Sequence, residues 1–317
     1  MAVLYPLFLG SYWSAGASGA EVTARLAWIT AAANFLVAIM APILGTIADA
    51  GGYRKRFLVI FAVIGAVMTA SLGFVAEGNW PWALGLYVLA SFGFYSSTVF
   101  YDSLLIDVTQ PRHFDFVSAL GFSLGYLGGA TLLAIHVWMI SSPETFGLES
   151  SADSIRLAFI TVGFWWALFL APMIKWVPEH KRELVFDGGV ITAAYRELRS
   201  TIRKISQYRE VVVFLLAYLL YVAGVFTVIA MAVNYGQRLG FRDQDLVLAL
   251  MITNFAGFPA TFAFGVIGHR YGPKVGLYIA LTVYVAVSSY AVFMTSITQY
   301  FFMAITVGCV QGAAQGL

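Results

Sequence analysis

Long apolar runs separated by short polar stretches set the pattern of this sequence. A helix needs roughly 20 apolar residues, at ~1.5 Å rise each, to cross the hydrocarbon core of a bilayer. Uncharged runs close to that length occur seven times before residue 270. They are Leu26–Ala48, Phe57–Ala76, Gly78–Tyr101, Phe116–Ser142, Leu157–Ile174, Val211–Gln237 and Leu246–Gly268. Each run predicts one membrane-spanning helix.

The two ends of the chain add further spans. Val275–Leu317 holds 43 residues without a charge, interrupted by the polar patch Thr295–Thr298, and predicts two spans joined by a tight turn. The opening segment Met1–Trp13 is apolar but short, so it predicts only part of a span. We therefore expect about ten spans, of which the first and the last are incomplete.

Composition places the chain in a membrane and narrows its chemistry. Of 317 residues, 60% are hydrophobic and 11% are charged, whereas a soluble domain is about one quarter charged. We therefore predict an all-α polytopic membrane protein. The single cysteine, Cys309, excludes an internal disulfide framework. Zinc-ligand, nucleophile-elbow and phosphate-loop patterns are absent from the sequence, so we expect no enzyme, metal, cofactor or nucleic-acid partner.

The distribution of cations between the loops predicts the orientation. If the loops after spans 2, 4, 6 and 8 share one side, that side holds fourteen Lys and Arg residues and the other side holds four. Cytoplasmic loops are enriched in Lys and Arg. We therefore expect the fourteen cations, and the N-terminus, on the cytoplasmic side.

The longest loop divides the chain into two bundles. We expect an N-terminal bundle over residues 1–176, a linker over 177–210 and a C-terminal bundle over 211–317. Within the linker, residues 190–206 place apolar and basic side chains on different faces of a helix, which is typical of a helix lying on an anionic membrane surface. Such a helix is either a regulatory docking site or a tether between the bundles.

One stretch of the chain recurs after an offset of 220 residues. "NFLVAIMAPILGTIADAGG" at 34–52 aligns with "NFAGFPATFAFGVIGHRYG" at 254–272. The aligned pairs include Asn34 with Asn254, Gly45 with Gly265, Asp49 with His269, Gly52 with Gly272 and Arg54 with Lys274. The spacing indicates a parallel repeat of two six-span halves, as in one major transporter architecture. By the same offset, the start of span 1, the end of span 10 and spans 11 and 12 are expected to be missing from a protein of roughly 400 residues.

The loop after span 2 resembles the signature loop of the major facilitator superfamily, which has the same order of Gly, Asp, Gly and basic residues. Here those residues are Gly45, Asp49, Gly52, Arg54 and Lys55. The resemblance implies a fold of two pseudo-symmetric six-helix bundles, here with an incomplete C-terminal bundle.

Further stretches narrow the likeness to the vacuole-effluxer-like branch of that superfamily. They are "VFYDSLLIDV" (99–108), "GFSLGYLGGATLL" (121–133) and "WWALFLAPMIKWVPE" (165–179). This branch includes fungal vacuolar amino-acid exporters and many bacterial members. The likeness implies an integral protein of the bacterial inner membrane.

The resemblance implies a gate at the loop after span 2. In the superfamily the Asp of the signature faces span 11 and helps to hold the cytoplasmic side closed, so Asp49 is expected to act in this way. Gly52 is expected to form a tight turn with positive φ, which glycine adopts readily. The repeat extends the expected gating set to Gly265, His269, Gly272 and Lys274. The alternative is that the loop cations only anchor the chain at lipid headgroups.

Polar residues inside the predicted spans are candidates for a substrate cavity, because a polar group in hydrocarbon is costly. The candidates are Asn34, Tyr95, Ser96, Ser97, Asp102, Asn254, Gln311 and Gln315. In the superfamily, spans 1, 4, 7 and 10 surround the cavity. Gln311 and Gln315 project from one helix face and suit a zwitterionic substrate. The alternatives are hydrogen bonds between helices for the two Asn residues and an interfacial position for Asp102.

Glycines of span 5 predict close helix packing. The set is Gly121, Gly125, Gly128 and Gly129, of which three are spaced four residues apart. His136, near the outer end of the same span, is either an interfacial histidine or a proton relay.

Together these features predict a secondary active transporter that works by alternating access around a midplane site. The resemblance suggests amino acids or similar small solutes, moved outward, while proton coupling stays open. The expected partners are the substrate and the lipid bilayer, and a full-length protein is expected to be monomeric. The alternatives are a receptor or scaffold of the same fold, an inactive truncated transporter, and a channel.

Overall fold

The structure, a computed structural model, describes residues 4–179, 196, 199–201, 203–205 and 207–316, apart from the side chains of 47–51 and 230. Within these residues every regular element is helical and no strand occurs, which confirms the expected all-α class. The α-helices with defined bounds are α1 (Leu4–Phe8), α2 (Gly19–Gly51), α3 (Arg54–Ser71), α4 (Trp80–Ser103), α5 (Leu105–Val108), α6 (Phe114–Ser141), α7 (Ser151–Trp176), α8 (Arg209–Arg238), α9 (Asp243–Tyr271), α10 (Pro273–Ala291) and α11 (Ile297–Gly316).

Nine helices of the described residues are long and apolar enough to cross a bilayer. They are α2, α3, α4 and α6 to α11, which confirms the nine spans predicted from Leu26 onward. The opening segment is also helical but shorter than a span. It consists of α1 and a π-helical piece, Leu9–Trp13, of five residues each, before the chain turns at Gly16.

Helix ends follow local sequence signals. Pro81 and Pro273 lie in the first turns of α4 and α10, where the missing N–H of proline has no helical partner to lose. At the start of α7 the side chain of Ser150 accepts a hydrogen bond from the backbone N–H of Asp153 at 3.1 Å. This N-cap satisfies one of the free donors of the first turn.

The chain forms two compact units. The first consists of Val3–Val108 and Glu149–Phe214, and the second of Thr109–Leu148 and Leu215–Leu317. The predicted N-terminal bundle, residues 1–176, includes α6. In the structure α6 instead packs along α9 in the second unit.

In the first unit, α3 packs between α4 and α7 through glycine contacts. A Cβ at Gly93 of α4 would lie 2.7 Å from the Cα of Gly65 on α3. A Cβ at Gly163 of α7 would lie 2.5 Å from the carbonyl oxygen of Ala66 on α3. Glycine therefore lets the backbones approach closely, which favours helix association in lipid. Around these contacts Phe61 and other apolar side chains form a buried cluster.

In the second unit, α9 packs between α6 and α11. A Cβ at Gly308 of α11 would lie 2.5 Å from the carbonyl oxygen of Thr253 on α9, so these two helices are also in close contact. A second buried cluster joins α8, α10 and α11. Its members are Val225, Ala280, Tyr284, Val310, Ala313 and Ala314.

Candidate functional site

The loop between α2 and α3 is a two-residue turn, in which Gly52 has φ +65°. The predicted positive φ at this glycine is confirmed. Since α3 begins at Arg54, the three consecutive cations of this loop form the first turn of a helix. A helix N-terminus carries partial positive charge, so cations there need other partners.

Arg54 finds its partners at the end of α4 and in α5. Its Nη1 lies 3.4 Å from Oδ2 of Asp107 and 3.5 Å from the carbonyl oxygen of Ser103. The side chains of Arg54 and Asp107 are only 21% and 24% exposed. The pair therefore lies at the edge of the unit, partly shielded from solvent.

Lys55 contacts the C-terminal end of α7. Its Nζ donates to the carbonyl oxygens of Ile174 at 2.7 Å and Val177 at 2.6 Å. The last carbonyls of a helix lack partners within the helix and carry partial negative charge. The ammonium group of Lys55 thus stabilises this helix end.

Arg56 binds Glu179, just beyond α7. Its backbone N–H donates to Oε1 at 3.2 Å and its side-chain Nε donates to Oε2 at 3.1 Å. All three loop cations are therefore held by groups of the first unit. An anchor at lipid headgroups, the alternative from sequence, does not account for these contacts. The acids Asp107 and Glu179 were missed from sequence, although both follow spans on the cation-rich side.

No described side-chain contact is available for three other predicted features of this region. Asp49 lies in α2, but its side chain is outside the described part of the structure, so its gating contact stays a prediction. The predicted helix over 190–206 likewise falls largely outside the described residues. A Cβ at Gly45 would have no described atom within 4 Å.

The loop between α9 and α10 is a comparable turn. Gly272 has φ +86°, and its N–H donates to the carbonyl oxygen of Gly268 at 2.9 Å. At Gly265, one turn earlier, a Cβ would lie 2.5 Å from the Cβ of Ala119, so α9 and α6 are in close contact here. Lys274, which corresponds to Arg54 in the repeat, is exposed.

Aromatic and imidazole rings contact one another at this second turn. The ring of His269 stacks on that of His113, with centroids 6.2 Å apart and planes 24° apart. The guanidinium group of Arg270 lies 5.4 Å from the ring centroid of Tyr271. Among the described residues, no group of three or more His, Cys, Asp and Glu side chains is arranged to hold a metal ion.

Inside the membrane-spanning helices of the second unit, Tyr126 joins the two predicted glutamines. Its hydroxyl donates to Oε1 of Gln315 at 2.6 Å, and Gln311 lies within hydrogen-bonding reach of the same hydroxyl. Asn254 is near Gly129 of α6, but its Nδ2 donates to the carbonyl oxygen of Leu250 within its own helix. We call Tyr126, Gln311 and Gln315 the polar group.

A cavity of about 320 Å³ lies among α8 to α11 of the second unit, with Gln311 in its lining. The phenols of Tyr235 and Tyr300 also line it, but they donate to backbone carbonyl oxygens at 2.6 and 3.0 Å. Most of the remaining lining is apolar and includes Met231, Met294 and Met303. The cavity is therefore apolar along most of its length and polar beside Gln311.

The remaining cavity candidates belong to the first unit. Ser96 is buried and its hydroxyl has no partner in the described part of the chain. Ser97 donates to the carbonyl oxygen of Phe94 in its own helix, and Tyr95 is half-buried. Asn34 and Asp102 are exposed on their helices.

The close contacts of α6 fall on a different face from the predicted glycines. Gly125 and Gly129 are exposed, and Gly121 and Gly128 are half-buried. The buried residues of the helix are instead Ala119, Ser123, Tyr126, Ala130, His136 and Met139. Ser123 donates to the carbonyl oxygen of Phe258 on α9 at 2.7 Å.

Comparison with known proteins identifies a family. The chain matches the family model described as vacuole effluxer Atg22 like over residues 19–113 and 107–317. The uncharacterized MFS-type transporter YxiO of Bacillus subtilis is 36% identical over 99% of this chain and 74% of its own length. Autophagy-related protein 22-1 of Penicillium rubens is 24% identical over 79% of this chain and 54% of its own length.

Among solved structures, a bacterial homolog of the human lysosomal transporter Spinster, inward-facing and unoccupied, is similar at 18% identity. The alignment covers 99% of this chain and 66% of that one, with a TM-score of 0.48.

The family match, the identity to YxiO and the nine apolar helices of the described residues define an integral multi-pass membrane protein of the MFS transporter class. More particularly, the chain belongs to the vacuole effluxer Atg22-like family, as the family match and the identity to YxiO show. It spans 74% of the length of the Bacillus relative and about half, 54%, of the Penicillium one.

Proposed function

We propose that the protein carrying this chain is a secondary active transporter that exports small solutes, amino acids among them, by alternating access. Membership of an effluxer family supports transport as the class of activity. The observation that carries the proposal is the polar group of Tyr126, Gln311 and Gln315 within membrane-spanning helices.

The chemistry of the polar group suits a zwitterion. Amide and phenol groups both donate and accept hydrogen bonds, so they can contact an ammonium and a carboxylate without a fixed charge. A fixed charge at this depth would be costly whenever the site is empty. Neutral side chains also bind a zwitterionic solute with moderate affinity, which favours release of the solute on the opposite side of the membrane.

The gate is proposed at the loop between α2 and α3. Arg54, Lys55 and Arg56 connect the start of α3 to α5 and to the end of α7. The two ion pairs, of Arg54 with Asp107 and of Arg56 with Glu179, contribute about 0–1 kcal/mol each. These ion pairs can open without a large barrier, whereas the charged hydrogen bonds of Lys55 are stronger.

We further propose the bacterial inner membrane as the location, with the N-terminus and the cation-rich loops in the cytoplasm. The excess of Lys and Arg in alternate loops supports this orientation. The proposed working form is a monomer without a cofactor.

The test is flux through the full-length protein in proteoliposomes, measured with a mixture of tritiated L-amino acids under an imposed gradient. Gln311→Ala and Gln315→Ala are each expected to lower kcat/KM at least about tenfold, because a contact to a charged group is lost. Thr306→Ala is the matched control on the same helix, since its hydroxyl donates only to the carbonyl oxygen of Phe302.

Three results would contradict the proposal. A receptor or scaffold would bind amino acids without moving them, and a channel would give flux that does not saturate. Unchanged flux in both glutamine variants would remove the polar group from the transport path, even if the protein transports.

A further inference from the structure

Tyr284 of α10 carries a buried hydroxyl with no hydrogen-bond partner among the described residues. The residue is 5% exposed. Buried polar side chains nearly always have a partner, and each exception in a native structure calls for an explanation. A polar group in a membrane-spanning helix needs a partner within the protein even more, because lipid offers no alternative hydrogen-bond partner.

The position of Tyr284 connects it to the polar group. Its side chain belongs to the buried cluster that includes Val310, Ala313 and Ala314. These residues lie on the same stretch of α11 as Gln311 and Gln315. The helix α11 contacts both α10, which carries Tyr284, and α6, which carries Tyr126. Polar side chains of α6, α10 and α11 therefore lie on adjoining helices of the second unit.

Two hydrogen-bond donors near the polar group are not used by the hydrogen bonds described above. Since Oε1 of Gln315 accepts from Tyr126, the amide nitrogen of Gln315 remains to donate. The hydroxyl of Tyr284 is a further donor. An ionised carboxylate only accepts hydrogen bonds, and such bonds are stronger than those between neutral groups. The unused donors thus match a carboxylate.

The cavity lies one helical turn from Tyr284 and from Gln315. Val287 and Ser288, one turn beyond Tyr284 on α10, line the cavity together with Gln311. A solute whose apolar part lies along the methionine-rich wall would place its carboxylate beside Gln311, one turn from the position of Tyr284.

We propose that Tyr284 is a substrate-binding residue whose hydroxyl donates a hydrogen bond to the carboxylate of the transported solute. This inference rests on the proposed function and adds to it a recognition element that sequence reasoning missed. It explains why a tyrosine, rather than a phenylalanine, occupies an apolar cluster.

The variant Tyr284→Phe tests the inference, with Tyr278→Phe as the matched control. Tyr278 lies on the same helix and is 67% exposed. Because the hydroxyl of Tyr284 has no partner when the site is empty, its removal is expected to leave the melting temperature of the solute-free protein unchanged or higher. A hydroxyl with a structural role would lower the melting temperature.

Binding is measured directly, with a mixture of tritiated L-amino acids and the detergent-purified full-length protein. Tyr284→Phe is expected to raise Kd, and KM for flux, about tenfold, whereas Tyr278→Phe leaves both unchanged. A mixture of amino-acid amides, which lack the carboxylate, is expected to compete poorly with wild type. In Tyr284→Phe the preference for acids over amides should fall by a similar factor.

The outcomes separate this inference from the proposed function. Binding without flux, with binding weakened in Tyr284→Phe, would support the role of Tyr284 and contradict transport. Flux with the same Kd and the same acid preference in both tyrosine variants would overturn the role of Tyr284 and leave transport standing. Absence of both binding and flux in a folded wild-type protein would overturn both.

Discussion

The hairpin of α2 and α3 and the hairpin of α9 and α10 both turn at a glycine with positive φ, but they are held by different contacts. Gly52 and Gly272 adopt φ +65° and +86° at equivalent places in the repeat. After the first turn, three cations in succession bind groups of their own unit. After the second, Lys274 is exposed, and the described contacts are the stacking of His269 on His113 and the guanidinium of Arg270 near the ring of Tyr271.

The repeat therefore preserves a glycine with positive φ and not a charge network. A turn with positive φ depends mainly on glycine, so it survives while neighbouring residues change. An ion network needs acids and carbonyls on other helices, and these have no counterpart at the second turn among the described residues. We therefore place the electrostatic part of the proposed gate at the first hairpin.

The largest expected effect concerns Lys55. Lys55→Met removes two charged hydrogen bonds to the end of α7, and we expect it to lower the free energy of unfolding by about 1.5–3 kcal/mol. Lys274→Met, the matched change at the second hairpin, should alter it by less than about 0.5 kcal/mol. Denaturant-induced unfolding in detergent measures both. Equal losses in the two variants would contradict the contrast between the hairpins.

A smaller effect should be shared by the two turns. Gly52→Ala and Gly272→Ala each force a side chain to a positive φ, which costs about 1–2 kcal/mol. The same unfolding assay is used, with Gly85→Ala as a control, because glycine there has ordinary φ and a Cβ would find open space among the described residues. If only one of the two turn variants loses stability, the turns are not equivalent.

The smallest effect belongs to the pair of Arg54 and Asp107. A double-mutant cycle with Arg54→Gln and Asp107→Asn should give a coupling energy of about 0.5–1 kcal/mol, since the pair is partly shielded but 3.4 Å apart. The coupling should decrease at high salt. A coupling of zero at low ionic strength would mean that the pair does not contribute to the network.

The sequence predicted those features that depend on local residues. Apolar run lengths predicted nine spans, and the glycine of the signature loop predicted the turn at Gly52. Contacts between distant residues were not predicted, because nothing local encodes them. Tyr126 and Gln315 lie 189 positions apart, and only the packing of α6 against α9 and α11 joins them.

The glycines of α6 illustrate the same limit. Spacing alone favours the face of Gly121, Gly125 and Gly129 for packing, yet α9 approaches α6 most closely on the face of Ala119 and Ser123. Asn254 is a second example. It is a predicted cavity residue, but its amide donates a hydrogen bond to the carbonyl oxygen of Leu250 within its own helix. Which face is buried depends on the neighbours that assemble around a helix.

The proposed function requires that this family member moves solutes across the membrane through a gated site. The most direct measurement is time-resolved uptake of tritiated L-amino acids into proteoliposomes containing the full-length protein, compared with empty liposomes. We expect uptake that is saturable and driven by the imposed gradient. We also expect this uptake to fall in Gln311→Ala. Uptake no greater than in empty liposomes, from protein shown to be folded by its melting transition, would contradict it.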